Sequence, residues 1–155
     1  MLKFRKATID DVELFFNWAN DPLVRNNSYQ KEMIIYENHV NWFSNQINSD
    51  TNYLYVFLNE SNLPVGQVRI NKSGKDNAII GLMIDAKFRG NGFAKEMIAK
   101  ASDDFLSLNS SFTILAYIFK INKSSINSFI NANYKLLKEE IVSEIPSFIL
   151  YKNKQ

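Results

Sequence analysis

A chain of 155 residues, 46% hydrophobic and 22% charged, is long enough for one domain with a sizeable core. Its formal net charge of +2 is too small to argue for nucleic acid or an anionic membrane as a partner. With no cysteine and a single histidine, the chain excludes disulfides, thiolate metal sites, a cysteine nucleophile and a histidine-rich metal centre, so no metal is expected.

The chain opens with Met1-Leu2-Lys3-Phe4-Arg5-Lys6, an alternation of apolar and charged residues that predicts a half-buried strand over residues 2–6. This start lacks the apolar core of a signal peptide, and no later run approaches membrane-spanning length, so a cytoplasmic location is expected. Thr8 reads as an N-cap, with Asp10 and Asp11 in the first turn where they suit the helix dipole. Val12, Phe15, Phe16 and Ala19 then give the stripe of a packed helix, which Asn20-Asp21-Pro22 ends. Residues 23–33 are polar and irregular. A second helix over residues 36–48 carries its stripe on Tyr36, Val40, Phe43 and Ile47.

Residues 52–59 form an aromatic-rich strand, and residues 64–71 the next, with Val65, Val68 and Ile70 apolar. Lys72-Ser73-Gly74-Lys75 is a hairpin turn into a central strand marked by Ile79, Ile80, Leu82, Met83 and Ile84. After the turn Arg89-Gly90-Asn91-Gly92, a helix places Phe93, Met97, Ala101, Phe105 and Leu108 on one face. Residues 112–121 read as a strand, 122–133 as a short helix, and 134–142 with 145–152 as a last antiparallel hairpin. No linker, repeat or low-complexity tract interrupts the chain, so residues 1–155 read as a single domain. The class is α/β (α+β), with a mixed central sheet flanked by helices in the order β-α-α-β-β-β-α-β-α-β-β.

A strand, a glycine turn carrying an arginine and a helix start together suit a phosphate. The first N–H groups of a helix lack internal partners and face negative charge favourably, two glycines admit a close ligand, and Arg89 adds a cation. The dinucleotide fingerprint fails because Lys95 stands where its third small residue belongs, and no Gly-Lys-Ser/Thr of a P-loop is present. The turn does fit the pattern Arg/Gln-x-x-Gly-x-Gly/Ala as Arg89-Gly90-Asn91-Gly92-Phe93-Ala94. The plain structural alternative is a strand-to-helix turn with Arg89 on the surface.

This turn resembles the acetyl-CoA pyrophosphate loop of the GCN5-related N-acetyltransferases (GNAT), and the element order is similar to theirs along essentially the whole chain. Asn122-x-x-Ser125-x-x-x-Phe129 matches the family's Asn-x-x-Ser-x-x-x-Tyr segment in all but its last position. The resemblance implies acetyl-CoA as co-substrate, held by Arg89, Gly90, Asn91, Gly92, Phe93 and Ala94, with Asn122 and Ser125 at the CoA arm. It also implies that a main-chain N–H near Met83 or Ile84 polarises the thioester carbonyl, which makes Ile84 catalytic through its backbone. For both residues core packing by the side chain is compatible with that role, and Asn122 serves equally as a helix N-cap.

Two departures bear on catalysis. Phe129 replaces the tyrosine that many members use to protonate the thiolate, and Ile79 stands where many carry a glutamate base. Tyr134 is the preferred stand-in donor, with Tyr117 or water as alternatives, and His39 is the stand-in base. Each has an ordinary packing role as its alternative.

Residues 17–28, with Trp18, Asp21-Pro22 and Arg25, and His39-Val40-Asn41-Trp42-Phe43 resemble two blocks of the RimJ/RimL-like branch, and more closely the PseH-type acetyltransferases of nucleotide-linked amino sugars. Ala19 stands where that branch carries arginine. The resemblance implies Arg25 on a diphosphate, Asn26, Asn27 and Ser28 on sugar hydroxyls, and Trp18, Tyr29 and Trp42 against a ring, with His39 close by. A polar inter-helix loop is the alternative. The expected function is acetyl-CoA-dependent N-acetylation of a primary amine, on a nucleotide-linked amino sugar. Alternatives are a protein N-terminus, a polyamine, an antibiotic amine, or a non-catalytic acyl-CoA-binding module. The expected partners are that small-molecule acceptor and a second copy of the chain in a homodimer, with neither nucleic acid nor membrane.

Overall fold

The computed structural model describes residues 1–155. Seven strands form one sheet in the order β1-β2-β3-β4-β5-β7-β6, from β1 (Lys3–Lys6), β2 (Asn52–Leu58), β3 (Pro64–Ser73), β4 (Asn77–Ile84), β5 (Thr113–Phe119), β6 (Lys135–Val142) and β7 (Ile145–Asn153). All pairings are antiparallel except β4 with β5. The helices are α1 (Val12–Ala19), α2 (Pro22–Asn26), α3 (Tyr36–Ile47), α4 (Phe93–Leu108) and α5 (Lys123–Asn131). No helix is long and apolar enough to cross a membrane.

Strand alternation divides the side chains between two cores. On one face Tyr55, Phe57, Val68, Ile70, Ile80, Ile114 and Ala116 meet Met97, Ile98, Ala101 and Phe105 of α4. On the other, Leu54 and Val56 meet Phe15 and Trp18 of α1 and Phe43 of α3 in a smaller cluster. The second cluster thins out over β3 and β4. There the register sets Gln67 opposite Met83 and Arg69 opposite Gly81, so β3 presents polar side chains where a core would need apolar ones. This face of β3 and β4 is the floor of the site.

Two elements differ from the sequence reading. The first strand is exposed along its whole length because it is a sheet edge, and only Leu2 at its start is buried. The segment expected to be irregular contains α2. Asp21 caps it, accepting hydrogen bonds from the N–H groups of Leu23 (3.0 Å) and Val24 (3.2 Å), and Pro22 occupies the first helical position. The same Asp-Pro pair that stops α1 therefore starts the next helix, since proline needs no N–H partner there.

Candidate active site

β4 and β5 pair only from Asn77–Thr113 to Ile79–Leu115 and then part. A cavity of about 980 Å³ opens where they separate, bounded by Ile80 to Ile84 on one side and Ala116 to Phe119 on the other. Beyond Ile79, the main-chain groups of β4 that face β5 have no strand partner. The Asp85 N–H donates to the Val65 carbonyl of β3 at 2.8 Å. Neighbouring residues of a strand aim their N–H groups at opposite edges, so the Ile84 N–H points into the gap. Met83 and Ile84 both line the cavity.

Beside the cavity the chain turns through Gly90 (φ +81°) and Gly92 (φ +74°), conformations that L side chains rarely adopt. Gly92 is the N-cap of α4, and no side chain caps that helix, so its first N–H groups are free for an anion. Arg89, Gly90, Gly92, Phe93 and Ala94 line the cavity, as do Asn122 and Ser125 across it. Asn122 also caps α5, its Oδ1 accepting from the Ser125 N–H at 3.3 Å, while it faces the cavity. Two cofactor residues behave differently from expectation. Asn91 is absent from the lining, its side chain instead closing the turn by donating to the Phe88 carbonyl at 2.9 Å. Arg89 faces the cavity but is ion-paired to Asp21 at 2.7 Å, so the glycine turn is tied to the cap of α2. Burial pushes the Asp21 carboxyl up, but the Arg89 and Val24 hydrogen bonds outweigh it and hold the group below the usual carboxylate range.

Next to this turn, through the Arg89–Asp21 pair, stand α2, then α3 and the loop between them. Of the residues expected to meet the acceptor, Arg25, Asn27, Ser28, Tyr29, His39 and Trp42 line the cavity. Asn26 does not: it is exposed at the end of α2. Trp18 does not either. It is buried in the smaller core, and its indole N–H donates to Asp85 at 2.9 Å, which removes it from ring stacking with a ligand. The Tyr29 hydroxyl is held by Ser147 at 2.7 Å, and its ring packs edge-on against Phe119. Arg25 holds its loop closed, donating through Nη1 to the Gln30 carbonyl at 2.8 Å.

The catalytic expectations divide. Tyr134 is not in the cavity. It is buried in the core under α4, its hydroxyl bonded to Ser102 at 2.8 Å, and burial pushes its phenol well above the usual value. The turn between α5 and β6 carries the ring to the α4 side of the sheet, away from the gap. Tyr117, on β5, does line the cavity, as does Phe129 of α5. His39 is buried and lines the cavity; its Nε2–H donates to the Val12 carbonyl at 2.8 Å and its ring stacks on Phe43. Burial holds the imidazole below its usual value, against the opposing effect of the Val12 bond. It is therefore neutral at pH 7, with the Nδ1 lone pair free to accept a proton.

Two site residues have no counterpart in the sequence reading. Gln67 and Arg69 of β3 line the cavity. The Gln67 side chain is buried with Oε1 unpartnered, and the Arg69 Nε is buried and unpartnered too. Their signal was polar alternation, Gln67-Val68-Arg69-Ile70, which reads as a solvated face on an outer strand but marks a site on a strand paired along both edges.

A family model for an acetyltransferase (GNAT) domain matches residues 1–132. The fold is similar to that of a spermidine N-acetyltransferase from Vibrio cholerae, solved with CoA and spermine, at 13% identity over 97% of this chain and 94% of that one, with a TM-score of 0.88. It is similar to a domain from Methanocaldococcus jannaschii DSM 2661 at 24% identity, covering 99% of both chains, with a TM-score of 0.83. An aminoglycoside acetyltransferase, AAC(6')-Ib in complex with coenzyme A, is similar at 11% identity over 99% of this chain and 95% of that one, with a TM-score of 0.81. No curated protein matches the sequence.

Proposed function

Since the chain belongs to the acetyltransferase (GNAT) domain family, we propose that it acetylates a primary amine on an anionic small molecule, a nucleotide-linked amino sugar. The observation that carries this reading is the charge of the cleft: Arg25, Arg69 and Arg89 line it, and no aspartate, glutamate or lysine does. The spermidine and aminoglycoside enzymes of similar fold act on polycations. A polycation here would face Arg25 and Arg69, which no carboxylate pairs; of the three arginines only Arg89 is paired, to Asp21. An acceptor carrying a diphosphate meets the opposite sign. The resemblance of residues 17–28 and 39–43 to the RimJ/RimL-like and PseH-type enzymes supports the same class.

The residues present fit acetyl-CoA. The positive-φ glycines bring the backbone close to its pyrophosphate, the free N–H groups of α4 receive the charge, and Asn122 and Ser125 flank the arm that follows. The bound co-substrate supplies the acetyl thioester. The Ile84 N–H then donates to the carbonyl oxygen as negative charge develops there. His39 accepts the proton that the amine loses as its nitrogen bonds to the acetyl carbon. The carbon–sulfur bond breaks, and Tyr117 protonates the leaving thiolate. Attack is direct, within a ternary complex, because the chain has no cysteine to carry the acetyl group.

The test is release of CoA from acetyl-CoA in the presence of a uridine-diphosphate-linked amino sugar, spermidine or ribostamycin. Turnover with the nucleotide sugar and none with the polycations is expected. Preference for a polycation overturns the reading.

A further inference from the structure

The cleft holds one cation without any protein partner, Arg69, and beside it a second, Arg25, which no carboxylate pairs although its guanidinium donates to the Gln30 carbonyl at 2.8 Å. Arg69 stands mid-way along β3, opposite Gly81 of β4. The missing side chain at Gly81 makes room for its guanidinium, since a Cβ there would stand 3.3 Å from Nη2. On its other side lies the Trp42 ring of α3, 5.5 Å from Cζ. No acid pairs with Arg69, and its Nε is buried without an acceptor. The charged group that bears on it is a second cation, Arg25, whose Nε is likewise buried and unpartnered. Burial holds both guanidinium groups below their usual value, and the proximity of Arg25 adds to the effect on Arg69. An arginine remains charged even so. Two neighbouring like charges, each with a buried Nε that has no acceptor, cost stability in the free protein, where no carboxylate offsets them. Arg89 is a different case, because Asp21 neutralises it.

We propose that Arg69 and Arg25, backed by Trp42, form a second anion-binding site, separate from the glycine turn, that grips an anionic group of the acceptor. Resting on the acetyltransferase reading above, the site makes the acceptor a molecule with two handles: an amine near the gap between β4 and β5, and a diphosphate or carboxylate at Arg69. The planar fork of a guanidinium matches the paired oxygens of either group. Gln67, two residues earlier on the same face of β3, presents an amide whose oxygen is free for a hydroxyl of the same ligand.

The test uses the whole protein saturated with CoA, so that the glycine turn is already filled. Calorimetry then titrates in uridine diphosphate, inorganic pyrophosphate or succinate. Binding of either diphosphate identifies a phosphate handle, and binding of succinate alone identifies a carboxylate. Arg69→Gln is expected to weaken that binding about tenfold to a hundredfold, the value of a charge-assisted hydrogen bond, and Arg69→Lys to retain part of it. CoA affinity is expected to stay at the wild-type level in both. The melting temperature of Arg69→Gln is expected to match or exceed wild type, because a repulsion is removed; a guanidinium held merely for packing on Trp42 predicts a fall. The proposal is overturned if no anion binds, or if Arg69→Gln binds as well as wild type. If CoA itself fails to bind, the acetyltransferase reading falls, while titration of the free protein still decides the Arg69 site.

Discussion

Four side chains in and around the cleft, His39, Tyr117, Phe129 and Tyr134, show how far position outweighs residue type. Tyr134 has the right chemistry and the wrong side of the sheet, whereas Tyr117 has the same phenol in the gap. Replacing Tyr117 by Phe is expected to lower kcat by up to about a hundredfold, the usual range for general acid catalysis, with acetyl-CoA affinity unchanged. Tyr134→Phe is expected to leave the pH–rate profile intact and to cost about 1 kcal/mol of stability, through the lost Ser102 bond. A reversal of these two results, read from kcat against pH and from denaturant melts, returns the donor role to Tyr134. For His39 the sign follows from its lowered value. The activity limb governed by the base lies below pH ~6.5 and disappears in His39→Asn. Stability follows the same direction: the unfolded chain takes up the proton first, so as pH drops below ~6.5 the folded state loses stability down to the depressed folded value.

Among the elements, the turn into α4 was legible in the sequence because everything it needs is local: two glycines, an arginine, a strand before and a helix after. Gly92 sits at φ +74° with open space where a Cβ would project, so strain rather than collision decides a substitution. Gly92→Val is expected to destabilise by about 1–2 kcal/mol. It is also expected to weaken acetyl-CoA by about tenfold or more, since one lost charge-assisted hydrogen bond is worth roughly 1.5–3 kcal/mol. Calorimetry with wild-type affinity removes the turn from the cofactor site. The helices α1, α3 and α4 and the order of strands and helices along the chain were readable for the same local reason, although Tyr36 and Leu108, expected on packed faces, are exposed. α2 was not, because a five-residue helix has no periodicity, and only its Asp-Pro start betrays it. Arg69 and Gln67 escaped because their meaning depends on β3 being paired on both edges, a fact of long-range topology. Trp18 and Asn26 failed as ligands for the same reason: nothing in residues 17–28 tells which side chains α1 and α2 turn toward the sheet.

At the scale of the molecule, the cleft joins two half-sites, the glycine turn and the α2–α3 region, and one ion pair links them directly. Asp21 caps α2 and at the same time binds Arg89 of the turn. In the function proposed above, a pyrophosphate arriving at the turn competes with Asp21 for that guanidinium. Donor binding is then expected to free the cap of α2 from the turn, and acetyl-CoA to bind first and the acceptor second. Asp21→Asn separates the two duties, since an asparagine oxygen still caps the helix but offers Arg89 no charge. The pair is partly exposed, so it is worth about 0.2–1 kcal/mol. Acetyl-CoA is therefore expected to bind Asp21→Asn up to about fivefold more tightly, because Arg89 is released. The rise in acceptor affinity that CoA produces in the wild-type protein is expected to shrink by the same factor, since the variant begins in the released state. Calorimetric titration of uridine diphosphate with and without CoA, in both proteins, measures this directly. A variant that binds CoA more weakly than wild type shows that Asp21 positions Arg89 for the pyrophosphate rather than competing with it, and removes the link between the half-sites.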